Sequence, residues 1–227
     1  MHLQIDKRKI LLYFVFILFL SSSHNFNFTG SLQNYFQIKE IKLLSNFQNN
    51  KTIEIKNSLK NLYNLNIFSI NLNEVKKILN SFEFIHEYTI KKEYPSVIKI
   101  KIKETEILAY YFENNEKFYI GANGKKIKIN FNHNENIPLI FGKVEIKKIL
   151  SLKEKLIKNG FSLNDFKEIY FFKSKRWDLI YKNKIKIKLP IENIDKSLVQ
   201  LKEIINNSNI NNFEIIDLRI SDRIILS

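Results

Sequence analysis

The sequence predicts an α+β protein: a basic N-terminal tail, an apolar anchor helix, and two mixed domains, the second a mixed β-sheet domain with two or more helices. Three observations carry that reading. Residues 96–105 alternate Ile and Lys, the two-residue period of a strand with one wet face. Four other segments repeat apolar residues at helical spacing. All five Gly and all three Pro fall where these patterns break, so they mark boundaries between elements.

Composition sets the class. Of 227 residues, 44% are hydrophobic and 13% aromatic, too apolar for a disordered chain, and 26% are charged, enough for a solvated surface. A net charge of +14 would suit nucleic acid or an anionic surface. The excess Lys is instead spread along the strands of a chain dominated by Lys, Asn, Ile and Phe, and reads as compositional bias. Nucleic acid is therefore not an expected partner. Cysteine is absent, which excludes disulfides, zinc-thiolate clusters and a thiol nucleophile.

The N-terminus implies export. Residues 1–9 include Lys7, Arg8 and Lys9, and an unbroken apolar run covers residues 10–20. That run is shorter than the roughly 20 residues a spanning helix prefers, and Ser21-x-Ser23 fits a small-x-small cleavage site, so a removable signal peptide competes with an anchor. A helix continuing through the serines to Phe26 and Phe28 makes residues 10–28 an uncleaved anchor, which is the expectation adopted. Basic residues ahead of the span place residues 1–9 in the cytoplasm and the bulk of the chain outside it. Residues 29–35, with Gly30, form a linker.

The first domain is expected over residues 36–105. Residues 36–44 alternate as a strand. Residues 52–62 put Ile55, Leu59 and Leu62 on one helical face, and residues 73–81 do the same for Val75, Ile78 and Leu79, with Asn71 or Asn73 as N-cap. Two strands follow at 84–93 and 96–105, separated by Tyr94-Pro95. Proline fixes its own φ and lacks an amide donor, so it belongs at the corner between two strands. Beyond it Ile98, Ile100 and Ile102 face the helices while Lys99, Lys101 and Lys103 face water.

This strand-helix-helix-strand-strand order resembles the POTRA domain. The matching residues are Ile41-Lys42-Leu43-Leu44, the phrase 66–71 (NIFSIN), the Tyr94-Pro95 corner and Glu104. Asn46 stands near the place of a family Gly, and Glu106 where a Pro often follows.

The second domain is expected over residues 106–227. Strands are predicted at 107–112, 117–120 and 125–130, with Asn123-Gly124 as a hairpin turn because both residues accept positive φ. A helix over 144–159 presents Ile146, Ile149, Leu150, Leu156 and Ile157 and stops at Gly160. Strands at 167–173, 177–181 and 184–189 follow, then a helix presenting Ile194, Leu198, Leu201 and Ile205, then strands at 213–218 and 222–226. The stretch 170–177, YFFKSKRW, has the aromatic and basic mixture of a single-strand nucleic-acid platform. It reads better as a hairpin with its KSKR tip in solvent and its aromatics in the core.

Tail, anchor, POTRA-like domain and β-rich domain in this order resemble the FtsQ/DivIB family of division proteins. Further agreement lies in Phe118-Tyr119-Ile120-x3-Gly124, Pro138-Leu139-Ile140-x-Gly142, Trp177-Asp178-Leu179-Ile180 and Ile216-Asp217-Leu218-Arg219, with Ile220 where the family signature has Tyr. The resemblance implies a bitopic inner-membrane scaffold at the division septum that binds the single-span division proteins FtsB and FtsL. It also implies capture of FtsB by strand addition at the final strand, here Arg219, Ile220, Ser221, Asp222, Arg223, Ile224, Ile225 and Leu226. Arg219 and Arg223 are expected to meet acidic groups, and Ile220, Ile224 and Leu226 to supply apolar contact. A POTRA protein of outer-membrane assembly or secretion is the alternative, although one domain copy and no series of membrane-length strands fit it poorly.

No constellation for catalysis is visible. His2, His24, His86 and His133 are isolated, and no His-Glu-x-x-His or Gly-x-Ser-x-Gly motif occurs. Glu83 with His86, and Glu104 with Glu106, read as surface pairs. No enzyme activity, cofactor, metal or small-molecule substrate is expected.

Overall fold

The computed structural model describes residues 7–22, 34–45, 49–128, 136–182, 184–207, 213–220 and 223–227. The end of the expected anchor and most of the linker, with Asn46, Ser221 and Asp222, lie outside the described residues. The chain packs as two compact units, the first made of residues 1–44, 48–76 and 89–101, the second of residues 45–47, 77–88 and 102–227.

Helix α1, Lys7–Ser22, has 16 residues, which at 1.5 Å per residue is about 24 Å. That is less than the hydrocarbon thickness of about 30 Å, and none of the described helices is long and apolar enough to cross a membrane. Every residue from Ile10 to Leu20 is nevertheless more than half exposed.

The POTRA-like elements are β1 (Glu40–Leu44), α2 (Asn49–Ser58), α3 (Leu72–Ser81), β2 (Ile85–Glu93) and β3 (Val97–Glu104). Helix α2 is shorter than its periodicity predicts. It gives way to a 3-10 turn at Lys60–Leu62, and Asn64 takes a positive φ of 66°, but Ile55, Leu59 and Leu62 are all buried as expected. Asn71 caps α3: its side-chain oxygen accepts the Asn73 N–H at 3.0 Å. Among the described residues this sheet has three strands in the order β1-β3-β2, with β1 parallel to β3 and Ile41 opposite Ile98, Leu43 opposite Ile100. The corner between β2 and β3 holds Pro95 after a cis peptide bond. Ile98 and Ile100 are fully buried, and Lys101 and Lys103 exposed.

The second sheet has nine strands among the described residues: β4 (Ile107–Glu113), β5 (Glu116–Gly121), β6 (Lys126–Ile127), β7 (Leu139–Phe141), β8 (Phe166–Phe171), β9 (Trp177–Tyr181), β10 (Lys186–Lys188), β11 (Ile215–Ile220) and β12 (Arg223–Leu226). Their order is β12-β11-β10-β9-β8-β7-β4-β5-β6. Helices α4 (Ile146–Lys158) and α5 (Ile194–Asn207) pack on one face. Ile149, Leu152 and Leu156 from α4 join Leu198, Leu201 and Ile204 from α5 against Leu108, Ile120, Ile140, Ile169, Leu179, Ile187 and Ile216. Ile157, predicted to face inward, is 56% exposed, because the buried stripe runs through Ile149, Leu152 and Leu156 and the next residue lies about 100° around the helix from it. Gly160 closes α4 at φ 81°, with its own N–H bonded to Ile157 O and that of Phe161 to Leu156 O. Gly142 has φ 96°, and a Cβ there would lie 2.1 Å from the Phe171 carbonyl oxygen, so β7 can lie beside β8 only with glycine at this position.

The Asn123-Gly124 turn differs from its prediction. Only Gly124 has positive φ. The Asn123 side chain is used instead: its oxygen accepts the Lys125 N–H, and its amide donates to the carbonyls of Glu83 and Ile85, both at 2.9 Å. Lys125 Nζ donates to the carbonyls of Asn80 and Phe82 at the C-terminal end of α3. These bonds satisfy carbonyls that a helix end leaves open, and they draw residues 77–88 into the second unit. The 170–177 hairpin also divides its aromatics: Trp177 and Phe171 join the core, whereas Tyr170 stacks on Phe141 at 4.6 Å.

Ile100→Asp places an unpaired carboxylate at a fully buried position, at a cost of about 3 kcal/mol or more. Lys101→Asp, one residue along and exposed, changes stability by less than about 0.5 kcal/mol. Thermal unfolding of the two variants checks the register, and equal losses contradict it.

Candidate functional site

β12 terminates the sheet and, among the described residues, pairs only with β11. The ladder phase decides which backbone groups remain available. Ile215 and Ser227 exchange both N–H···O bonds, so in the antiparallel register Ile225 faces β11 opposite Asp217. Ile224 and Leu226, out of phase with that pair, turn their amides and carbonyls toward the open side. These two residues are 40% and 39% exposed, and Ile225 and Ile220 are 45% and 55% exposed. A register shift between Asp217 and Ile220 increases the local twist. An unpaired, partly apolar edge of this kind is a template for an extended segment.

Beside the edge lies a charged row on the sheet face away from the helices. Asp217 is 7% exposed, and the Arg219 guanidinium grips it: Nε donates to Oδ1 at 2.8 Å and to Oδ2 at 2.9 Å, and Nη2 donates to Oδ2 at 2.5 Å. Lys188 Nζ stands 3.9 Å away. One strand over from Lys188, Asp178 is 1% exposed and is held by Arg176 Nε at 3.1 Å, with Lys186 Nζ at 3.6 Å. Arg176 and Arg219 both line a cleft of about 470 Å³ with Ser174, Asn193 and Ile191.

Arg219, expected to serve a partner's acidic groups, is thus already tied within the chain, with its side chain 43% exposed. Arg223 is exposed. Arg176 was missed by the sequence reading. The signal was present: Arg176-x-Asp178 and Asp217-x-Arg219 each put opposite charges on one strand face. Glu106, read as a surface carboxylate, lies 3.5 Å from Lys153 Nζ. Among the described residues no group of His, Cys, Asp and Glu could hold a metal ion.

The hydrogen bond from Arg219 holds the Asp217 carboxyl below its ordinary value of 3.8, with burial opposing and the Arg219 backbone N–H and Lys188 adding to it. A carboxylate whose folded pKa is depressed contributes stability above its unfolded pKa, lost as pH falls through the folded value. Urea unfolding across a pH series is therefore expected to show Arg219→Ala less stable than the parent by a constant amount at neutral pH. That gap closes below pH 3.8. A gap independent of pH would mean that Arg219 acts by packing alone.

Comparison with known proteins agrees with the architecture. Residues 36–105 match the POTRA domain, FtsQ-type, and residues 109–219 match the family described as cell division protein FtsQ/DivIB, C-terminal. The chain is 30% identical over 156 residues to the cell division protein FtsQ of Rickettsia bellii, covering 67% of this chain and 58% of that one. It is 34% identical over 106 residues to the cell division protein DivIB of Clostridium tetani, covering 47% and 39%. To the FtsQ of Agrobacterium fabrum it is 22% identical over 191 residues, covering 83% and 60%. With an FtsQ-type POTRA domain followed directly by the FtsQ/DivIB C-terminal domain, the chain belongs to the FtsQ/DivIB family of cell division proteins.

Proposed function

We propose that this chain is a bitopic inner-membrane scaffold of the division machinery, and that its β12 edge takes up an extended segment of another single-span division protein, FtsB in company with FtsL. The observation that carries the reading is the open edge itself, where Ile224 and Leu226 direct backbone donors and acceptors outward between half-exposed apolar side chains. Main-chain pairing supplies affinity in strand addition, and flanking side chains supply specificity. Arg223 on the strand, with Arg176 and Arg219 in the neighbouring cleft, favours a segment carrying acidic residues.

Helix α1 is the membrane anchor in this reading. Eleven successive apolar residues left exposed in water would be a large liability. The difference between this helix of about 24 Å and the hydrocarbon thickness is accommodated by local thinning of the bilayer and by snorkelling of Arg8 and Lys9. Those cations keep the N-terminus cytoplasmic and the two units outside, at the septum.

The edge is tested by moving one proline along it. Ile224→Pro removes an outward amide and leaves the β11–β12 ladder intact, so it abolishes binding of a synthetic extracytoplasmic FtsB segment while leaving thermal unfolding close to that of the parent. Ile225→Pro removes a ladder bond and lowers the melting temperature as well. Unchanged affinity in folded Ile224→Pro removes this edge from consideration.

A further inference from the structure

The first unit carries an aromatic surface that strand addition leaves unexplained. Tyr35, Phe68 and Tyr94 are 56%, 58% and 58% exposed. Phe36 joins them, with ring centroids 5.2 Å from Tyr35 and 5.1 Å from Phe68, and Phe68 stacks on Tyr94 at 4.9 Å. Backbone bonds hold the cluster in place: Ile67 N–H donates to Phe36 O, Ile38 N–H to Leu65 O, and Lys39 N–H to Ser96 O at the proline corner. The rings are therefore fixed and solvent-facing, which is costly unless something apolar covers them.

We infer that this cluster seats the POTRA-like unit on the lipid headgroup interface. The inference rests on α1 being a membrane anchor. Two observations then choose lipid. The chain leaves α1 at Ser22 and enters the cluster at Tyr35, thirteen residues later, so the rings cannot lie more than about 45 Å from the helix end at 3.3–3.6 Å per residue. The cluster is also the place where that tether ends. The chemistry matches as well. Tyr and other amphipathic rings prefer the headgroup level, and Lys39 and Lys92 flank the cluster, the latter donating to Phe68 O at 3.4 Å. Lysines at this height are attracted by anionic headgroups within about a Debye length of the surface. The Glu93 carboxylate is neutralised locally by Lys99 at 3.0 Å.

The cysteine-free chain allows single-site labelling. Full-length protein carrying Ser69→Cys or Phe16→Cys, labelled with a fluorophore, is reconstituted into phosphatidylethanolamine/phosphatidylglycerol vesicles with acyl chains brominated near the headgroup or near the chain terminus. The label at residue 16 should be quenched by the deep bromines and the label at residue 69 by the shallow ones. Shallow quenching at 69 should be lost in a Phe68→Ser/Tyr94→Ser background that keeps its far-ultraviolet circular dichroism. A quenched residue 16 beside an unquenched residue 69 overturns the inference and leaves the aromatic surface to a protein partner. Quenching at 69 that survives the double substitution overturns it too. An unquenched residue 16 removes the anchor, and the inference with it.

Discussion

The parallel pairing of β10 with β11 is the constraint from which the open edge follows. Lys186, Ile187 and Lys188 lie opposite Ile215, Ile216 and Asp217 with both strands running the same way. Parallel neighbours cannot be joined by a hairpin, and the chain must cross over a dozen or more residues to return. Helix α5 supplies that crossover, and its Leu198, Leu201 and Ile204 cover the sheet's inner face. Once β11 is laid beside β10, the tight return into β12 can add a strand only on the outside. The edge is thus a consequence of connectivity.

The two ends of the nine-stranded sheet are treated differently. At the β6 end, the strand is two residues long, and Lys126 and Lys128 pair with Glu113 and Glu116. A short, charged edge resists pairing with other chains. At the β12 end, four residues present three large apolar side chains and one arginine. Asp217 and Asp178 are buried and each is met by two cations, so neither carboxylate is left unpaired where desolvation would make it expensive.

The POTRA-like elements and both core helices of the second unit were legible in the sequence, because each is a local periodicity closed by a local signal. Ile98 and Ile100 against Lys101 and Lys103, Asn71 before α3, and Gly160 after α4 each act within a few residues. The strand order was not legible. The pairing of β7 with both β4 and β8 joins residues such as Tyr110 and Leu139, or Leu139 and Glu168, that no local pattern connects. For the same reason the Asn123 side chain was misread: its partners, Glu83 and Ile85, lie about forty residues upstream, so turn propensity alone suggested a φ that the fold does not use. At the edge, the residues of β12 were named from resemblance, whereas the in-chain tie between Arg219 and Asp217 follows from side-chain alternation and could have been read directly.

The claim at the centre of this account is that β12 offers alternate backbone amides to a partner strand. Residue-resolved amide hydrogen exchange of the full chain, alone and with a synthetic extracytoplasmic FtsB segment, tests it directly. In the free protein the amides of Ile225 and Ser227, directed at β11, should exchange slowly and those of Ile224 and Leu226 rapidly. Adding the segment should slow Ile224 and Leu226 and change Ile225 little. Uniform slow exchange along β12 before the segment is added, or rapid exchange at Ile224 and Leu226 with the segment bound, would contradict the account.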